Sequence, residues 1–180
     1  YENPQLLTSL KVQASFLSKN LETHLLGNHL FSNAKALIFA GAFFEGSEAD
    51  RWFKKGIRVL ERELPRQVLG DGGNFELSTM YHSLFLEDLL DLFNLFKSNS
   101  LDMPDCLAGC IGKMLKWFST MVHPDGELSF FNDATLHVAP QLEELVGYAA
   151  SLDVSVSLLE RKFAPLTVMQ ESGYSRIERE

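Results

Sequence analysis

The sequence predicts an all-α fold, and three observations support that prediction. Apolar residues recur at three- and four-residue intervals through most of the chain, which is the pattern of amphipathic helices. Glycine, proline and capping residues divide this pattern into segments of ordinary helix length. An alternating strand pattern is not found before residue 167. We therefore expect hairpins of helices joined by short loops, in an α/α arrangement.

Three helices are predicted in the first third of the chain. The first covers about residues 4–26, with a proline in its first turn, and Gly27 ends it. The second covers about residues 28–44 and is apolar on nearly all sides, so it should be central. The third covers about residues 48–64, and Pro65 is expected to interrupt it.

The helical pattern continues through the second half and gives about seven to eight helices in total. The expected elements are helices over about residues 77–97, 140–150 and 154–163, a further helix that runs to about residue 121, and a helical turn near residues 135–138. The helix that ends near Met121 begins at a cap supplied by Asp102 or Asp105.

The last stretch, residues 167–177, changes to the pattern of a strand. We expect it to begin a second, β-rich domain that is cut off in this sequence. Residues 1–165 would then form the helical domain, and residues 166–180 would be a linker with the first strand of the next domain.

Length and composition indicate a folded globular protein. The 180 residues suffice for one core, and 46% hydrophobic with 22% charged residues is typical of such proteins. The net charge of -8 argues against a nucleic-acid partner, because phosphate binding needs a basic face. No apolar run reaches the roughly 18 residues of a membrane span. The first residues lack an initiator Met and are no signal peptide, so we expect an internal or processed segment.

Neither a metal nor another cofactor is predicted. His24 and His29 are five residues apart across a glycine, which is not the spacing of a helical metal pair. Cys106 and Cys110 lie four apart in a predicted helix, a poor spacing for a disulfide, and we expect two partly buried thiols. The sequence also lacks a nucleophile elbow, a P-loop and a dinucleotide-binding turn.

Polar residues that handle protons or bind anions occur at the starts of two predicted helices. Asn28 and His29 begin the second helix, and Glu76, Tyr81 and His82 surround the start of the fourth. An amide, an imidazole and the positive end of a helix together favour a carboxylate, and a phenol nearby can donate or accept a proton. The structural alternative is that Asn28 is a cap, His29 a satisfied residue at a helix start, and Tyr81 a core aromatic.

Five segments, in this order, resemble the helical domain of the heparinase II/III-like polysaccharide lyases, which include alginate and heparin lyases. They are Gly27-Asn28-His29-Leu30 with Asn33-Ala34, Glu63-Leu64 with Gln67, Asp71-Gly72-Gly73-Asn74-Phe75-Glu76 with Ser78 and Tyr81-His82, Asp125-Gly126-Glu127 with Phe131-Asn132-Asp133, and Glu171-Ser172-Gly173-Tyr174. The resemblance covers nearly the whole chain.

The resemblance implies a fold and a reaction. The fold is an incomplete (α/α) toroid followed by a β-sandwich, with the active cleft between them. The reaction is β-elimination at a uronic acid. Asn28 and His29 match the residues that neutralise the substrate carboxylate, and His29 is also a possible base for some sugar stereochemistries. Tyr81 matches the catalytic tyrosine, which acts as acid and sometimes as base.

Further residues are expected to bind or orient the substrate. Glu76 and His82 are more suited to orienting other groups, Gln67 is a sugar-contact candidate, and Asn132 and Asp133 could line the rim of the cleft. For Asn132 and Asp133 the alternative is a connector that caps the next helix.

The implied partners are an anionic polysaccharide and the C-terminal β-sandwich domain, with no nucleic acid and no membrane span. The resemblance favours a periplasmic or secreted protein. Because further catalytic residues of such enzymes come from the β domain, this chain alone is expected to be inactive.

Two other functions remain open at this point. The toroid could bind or process a glycan without elimination, since fold does not fix function. Alternatively, the chain could be a helical scaffold that binds a protein through the basic outer face of the third helix. That face carries Arg51, Lys54, Lys55, Arg58 and Arg62.

Overall fold

The computed structural model describes residues 3–25, 27–154 and 165–178. The chain divides into two compact units, Tyr1–Glu63 and Leu64–Glu180. The elements are α1 (Pro4–Lys19), α2 (His29–Phe43), α3 (Ser47–Gln67), α4 (Thr79–Ser98), α5 (Cys106–Met121), α6 (Leu142–Ser151), β1 (Leu166–Met169) and β2 (Tyr174–Ile177). The described residues are therefore mostly helical, as predicted, whereas the toroid and the total number of helices stay predictions.

Helix α1 ends earlier than the sequence predicts. We expected its end at Gly27, but it ends at Lys19. The side-chain amide of Asn20 donates to the carbonyl of Phe16 (2.9 Å), which satisfies one of the free carbonyl groups at the helix end. A local hydrogen bond from the Asn20 side chain thus caps the end of α1, well before Gly27.

Apolar packing among the described residues holds the first unit together. In one cluster, Ala14 of α1 packs with Leu37 of α2 and with Trp52 of α3. Gly56 of α3 lies so close to α2 that a Cβ there would be 2.6 Å from a side-chain carbon of Ile38. The apolar character of α2 is therefore used for packing on both neighbouring helices, as its sequence predicts.

Helix α3 continues through Pro65, which corrects the expected interruption. Proline removes one hydrogen bond, the one that its N–H would donate four residues back. Here it lies in the last turn, and helical hydrogen bonding is still present beyond it, since the Val68 N–H donates to the Leu64 carbonyl (3.1 Å). Leu64 and Gln67 are buried, so packing favours continuation of the helix.

Helices α4, α5 and α6 pack together to form the core of the second unit. Its largest buried side chains include Phe85, Phe96, Trp117 and Phe118. Cys106 and Cys110 of α5 are partly buried and form no disulfide, as predicted. The helix predicted over residues 154–163 falls almost entirely outside the described residues. Near residues 135–138 the chain forms a turn in which His137 has a left-handed backbone (φ 61°), so the helical turn expected there is not formed.

The strand predicted over residues 167–177 is an antiparallel hairpin. Strand β1 pairs with β2 in a register that runs from Leu166 opposite Ile177 to Met169 opposite Tyr174. Met169 and Tyr174 pack on Trp117 of α5. The hairpin is therefore attached to the helices of the second unit, and the domain boundary near residue 165 stays a prediction.

Candidate functional site

The loop that precedes α4 is folded back on itself and lies against α5. The Phe75 N–H donates to the Gln67 carbonyl (3.0 Å), and the Leu69 N–H donates to the Gly73 carbonyl (2.9 Å). Gly72 has a left-handed backbone (φ 96°), and a Cβ at this position would collide with the carbonyl of Lys113. Only glycine can adopt both this conformation and this close approach. The loop is thus fixed by its own backbone and by α5.

His82 connects this loop to α5. The ring is fully buried, its Nδ1 accepts a hydrogen bond from the Asn74 N–H (3.2 Å), and its Nε2 lies 3.1 Å from the Met114 carbonyl. The proton must therefore be on Nε2. The ring also stacks on Trp117 at 4.4 Å between centroids. Burial lowers the pKa of His82 to about 3, so the imidazole stays neutral. These contacts fix the ring in place, and an orienting role for His82 in the site stays a prediction.

Asp71 connects the same loop to the turn between β1 and β2. One carboxylate oxygen accepts hydrogen bonds from the Glu171 N–H (3.0 Å), the Ser172 N–H (2.7 Å) and the Ser172 hydroxyl (2.9 Å). The other accepts from the Gly73 N–H (3.1 Å). Burial by itself raises the pKa of the Asp71 carboxyl, but these four bonds outweigh burial and lower it. Asp71 is therefore an ionised anchor for both segments.

The turn between β1 and β2 makes two further contacts, one with the loop before α4 and one with α5. The Gly70 N–H donates to the Glu171 carboxylate (2.7 Å), and the indole N–H of Trp117 donates to the Ser172 hydroxyl (2.9 Å). Since Trp117 also stacks on His82, the turn, the loop and α5 form one connected network.

Tyr81 lies in the first turn of α4, directly after this network. Ser78 caps the helix in an extended conformation and accepts a hydrogen bond from the Tyr81 N–H (3.4 Å). Tyr81 is half-buried, whereas Ser78 and Thr79 are fully buried. The tyrosine is thus presented from the fixed end of a helix, where a proton-transferring phenol can be held in position.

Leu77, immediately before the cap, has a left-handed backbone (φ 56°). Its carbonyl accepts two hydrogen bonds, from the Tyr174 hydroxyl of β2 (2.7 Å) and from the Asn132 side-chain amide (2.7 Å). The same Asn132 amide lies 3.4 Å from the Glu76 carbonyl. Asn132 is exposed, and it contacts the segment that leads into Tyr81.

The other predicted substrate-contact residues differ in exposure. Gln67 is buried at the end of α3, and Glu76 is half-buried in the loop. The Glu76 N–H donates to the Asn74 side chain (3.0 Å). Asp133 is exposed in the connector after Asn132. The structure thus brings Glu76, Asn132 and Tyr81 to the same helix start, and it places Gln67 at the base of the loop.

Asn28 and His29 lie in the first unit, at the start of α2. Asn28 occupies the N-cap position, but its side chain makes no capping hydrogen bond, so the simple capping alternative is not supported. The side chain of His29 is about half exposed, and its Nδ1 lies 3.7 Å from a Glu22 carboxylate oxygen. Asn28 and His29 therefore lie at the positive end of α2, a position that favours an anion.

Glu22 is held in place by Asn33 of α2. The Glu22 N–H donates to the Asn33 side-chain carbonyl (2.9 Å), and the Asn33 amide donates to the Glu22 carboxylate (3.0 Å). That carboxylate oxygen is the one that faces His29. Glu22 thus lies beside the imidazole. The sequence did not predict this contact, because the expected helix break at Gly27 separates the two residues.

Sequence reasoning also missed the roles of Asp71, Ser172 and Trp117. Asp71 and Ser172 stood in recognised motifs, but they are about a hundred residues apart and nothing local predicts their contact.

Among the described residues, no group of three or more His, Cys, Asp or Glu side chains has the geometry of a metal site. None of the described helices combines the length and apolarity of a membrane span.

Comparison with a protein-family model shows the family to which this chain belongs. Residues 4–152 match the model described as Heparinase II/III N-terminus. The chain belongs to the heparinase II/III family.

Two curated relatives are named heparin-sulfate lyase. One, from Bacteroides stercoris, is 38% identical over 120 residues, which are 61% of this chain and 17% of the relative. The other, from Pedobacter heparinus, is 31% identical over 133 residues, or 72% of this chain and 20% of the relative.

Solved structures of heparinases agree with this membership. A structure titled heparinase III has a TM-score of 0.68 at 30% identity, over 83% of this chain and 24% of that one. The heparan sulfate lyase HepC from Pedobacter heparinus has a TM-score of 0.58 at 31% identity, over 69% of this chain and 20% of that one. The chain therefore spans about a fifth of the length of these heparinase relatives.

Proposed function

We propose that the full-length protein is a polysaccharide lyase that cleaves a uronic-acid-containing polysaccharide of the heparan type by β-elimination. The observation that carries this proposal is the placement of Tyr81 at a rigidly held helix start in a chain of the heparinase II/III family. Relatives named heparin-sulfate lyase support the substrate class.

The first requirement of the reaction is neutralisation of the uronate carboxylate, because the C5 proton becomes acidic only then. Asn28 and His29 are assigned this role. The uncapped N-terminus of α2 and the half-exposed imidazole offer hydrogen-bond donors to a carboxylate. For some sugar stereochemistries His29 would also remove the C5 proton.

The second requirement is proton transfer at C5 and at the glycosidic oxygen. Tyr81 is assigned the acid, and it would also act as base where the C5 proton and the leaving oxygen on C4 lie on the same side of the ring. When the C5 proton is removed, the electron pair forms the C4–C5 double bond and the C4–O bond breaks. Protonation of the departing oxygen by the phenol completes the step without water.

The remaining polar residues have supporting roles in this proposal. His82 and Glu76 orient the loop and the start of α4, and Gln67 supports the base of the loop. Asn132 and Asp133 would lie on the rim of the substrate cleft. The chain accounts for about a fifth of its relatives, so a C-terminal β-sandwich domain would supply the rest of the cleft.

The experiment uses the full-length protein and a panel of uronate polysaccharides, including heparan-type chains and alginate. Product formation is followed by the ultraviolet absorbance of the unsaturated sugar. We expect heparan-type chains to be cleaved, and we expect Tyr81→Phe to lower kcat by roughly 100-fold or more, which is typical for loss of an acid–base group. His29→Ala should also lower kcat strongly.

The matched control is Tyr148→Phe, which removes a partly buried phenol hydrogen bond to Asp91 far along α4 (3.0 Å). It should leave kcat near the wild-type value. Full activity of Tyr81→Phe would contradict the proposed mechanism. Glycan binding without any unsaturated product, from folded wild-type protein, would favour a non-eliminating glycan-binding protein.

A further inference from the structure

The carbonyl of Leu77 is held from two separate elements of the second unit. The Tyr174 hydroxyl comes from β2, and the Asn132 amide comes from the connector between α5 and α6; each lies 2.7 Å from this oxygen. A left-handed backbone is unfavourable for a residue with a Cβ, and it persists only where the surroundings hold it. These two donors are placed to hold Leu77 in that conformation.

The donors are themselves fixed by the surrounding structure. The ring of Tyr174 packs against Phe131 and Trp117, with centroids 4.7 and 5.9 Å apart. Burial raises the pKa of Tyr174, so its hydroxyl keeps the proton that it donates. Asn132 has a left-handed backbone as well (φ 54°), which aims its side chain at the loop. The turn next to Tyr174 is anchored on Asp71 through Ser172.

Leu77 determines how α4 begins. It is followed directly by the capping Ser78, and Tyr81 lies in the first turn of the helix. A change in the backbone at Leu77 would therefore rotate or loosen the turn that carries the phenol. A displacement of about 1 Å at a reacting group can lower a rate by about 100-fold.

We propose that Tyr174 and Asn132 are positioning residues for Tyr81, which act by clamping the carbonyl of Leu77. This inference rests on the proposed lyase function, and it gives the hairpin, expected only as the start of a second domain, a part in catalysis. Tyr174 does not touch the substrate in this proposal; it acts through Leu77.

The test compares three variants of the full-length protein on a heparan-type substrate. Tyr174→Phe removes the hydroxyl and keeps the ring packing. Asn132→Gly removes the amide and still allows the left-handed backbone. Tyr148→Phe is the control for loss of a phenol hydrogen bond elsewhere in the same unit. For each of the first two we expect kcat to fall about tenfold, the change expected for loss of about one net hydrogen bond, with KM unchanged.

A rescue variant separates positioning from general destabilisation. Glycine adopts the left-handed conformation without strain, so Leu77→Gly in the Tyr174→Phe background should recover part of the lost kcat. The pH profile of kcat should keep its shape in Tyr174→Phe, because Tyr174 transfers no proton. A changed profile, or kcat equal to that of Tyr148→Phe, would overturn the inference.

A second measurement needs no substrate. Amide hydrogen exchange at residues 77–81 should become about tenfold faster in Tyr174→Phe and in Asn132→Gly, since local opening is no longer opposed by the clamp. Unchanged exchange would overturn the clamp even if the protein has no lyase activity. If wild-type protein is active, Tyr81→Phe is inactive and Tyr174→Phe is fully active, the proposed function stands and this inference fails.

Discussion

The two helix starts that carry the predicted site residues, one in each unit, are built in opposite ways. In the second unit, the start of α4 is capped by Ser78, clamped at Leu77 and tied to the hairpin through Asp71. In the first unit, the start of α2 has no side-chain cap, and His29 is about half exposed with Glu22 beside it. The α4 start uses its polar side chains in internal hydrogen bonds, whereas the α2 start has no side-chain cap and presents a half-exposed imidazole.

This difference would suit the two tasks of the proposed β-elimination. A proton-transferring phenol must be held in one geometry, because its rate contribution depends on distance and alignment. Groups that neutralise a carboxylate must instead be accessible donors at a positive helix end. Variants that affect stability should therefore cluster at the α4 start, and variants that affect only activity should cluster at the α2 start.

The largest stability effect is expected for Asp71→Asn. The new amide cannot accept all the hydrogen bonds that the carboxylate accepts from Gly73, Glu171 and Ser172. Since bonds to a charged group contribute more than neutral ones, we expect the free energy of unfolding to fall by about 3 kcal/mol. Urea unfolding of wild-type and variant protein measures this change.

Asp125→Asn is the matched control for Asp71→Asn. Asp125 accepts one hydrogen bond from the Glu127 N–H in an exposed turn (3.0 Å). Its effect should stay within about 0.5 kcal/mol. Equal effects of the two substitutions would mean that the Asp71 network does not stabilise the second unit.

Acid should destabilise the second unit through His82. Because burial lowers its pKa from 6.5 in the unfolded chain to about 3, the unfolded state binds this proton first as the pH falls. The stability that neutral His82 provides is fully present above pH 6.5 and is lost progressively towards pH 3. At pH 5 the loss from this group is about 2 kcal/mol.

The check is urea unfolding at pH 7, 6 and 5 with His82→Gln, which removes the titrating group. We expect the variant to be less stable at pH 7 but less dependent on pH over this range. His123→Gln, at an exposed position, should keep the pH dependence of the wild type. A wild-type slope retained in His82→Gln would show that another group is responsible.

The two caps should respond differently to alanine. Ser78→Ala removes a capping hydrogen bond from α4 and should lower the free energy of unfolding by about 1 kcal/mol. Asn28→Ala removes no such bond from α2, so its stability cost should be below about 0.5 kcal/mol. In the lyase assay, however, Asn28→Ala should lose activity. Equal stability losses would remove the contrast between the two helix starts.

The smallest effect is expected for Glu22→Gln. The glutamine keeps the hydrogen bond from the Asn33 amide but removes the negative charge 3.7 Å from His29. Partly exposed ion pairs contribute little, so activity should fall only about two- to fivefold. Initial rates across a series of salt concentrations measure the effect, and they should converge for wild type and variant at high salt. A loss as large as that of His29→Ala would indicate that Glu22 has a direct role.

Local sequence signals determined most of the helices of this protein. The apolar periodicity and the turn residues gave α2, α4, α5 and α6 within a few residues, since both act within one or two turns of the chain. They also placed Tyr81 and His29 at helix starts. The motifs pointed to the heparinase II/III family, and the family model confirms that membership over residues 4–152, a range that contains every motif except Glu171-Ser172-Gly173-Tyr174.

Only the tertiary structure decided how the start of α4 is held. Burial of Leu64 and Gln67 carries α3 past Pro65, and no local rule predicts that result. Asp71 meets Ser172 and Leu77 meets Tyr174 across about a hundred residues, so these bonds exist only after the hairpin has packed on α5. Helix propensity and capping act along the chain, whereas the contacts that fix Tyr81 depend on which distant segments become neighbours.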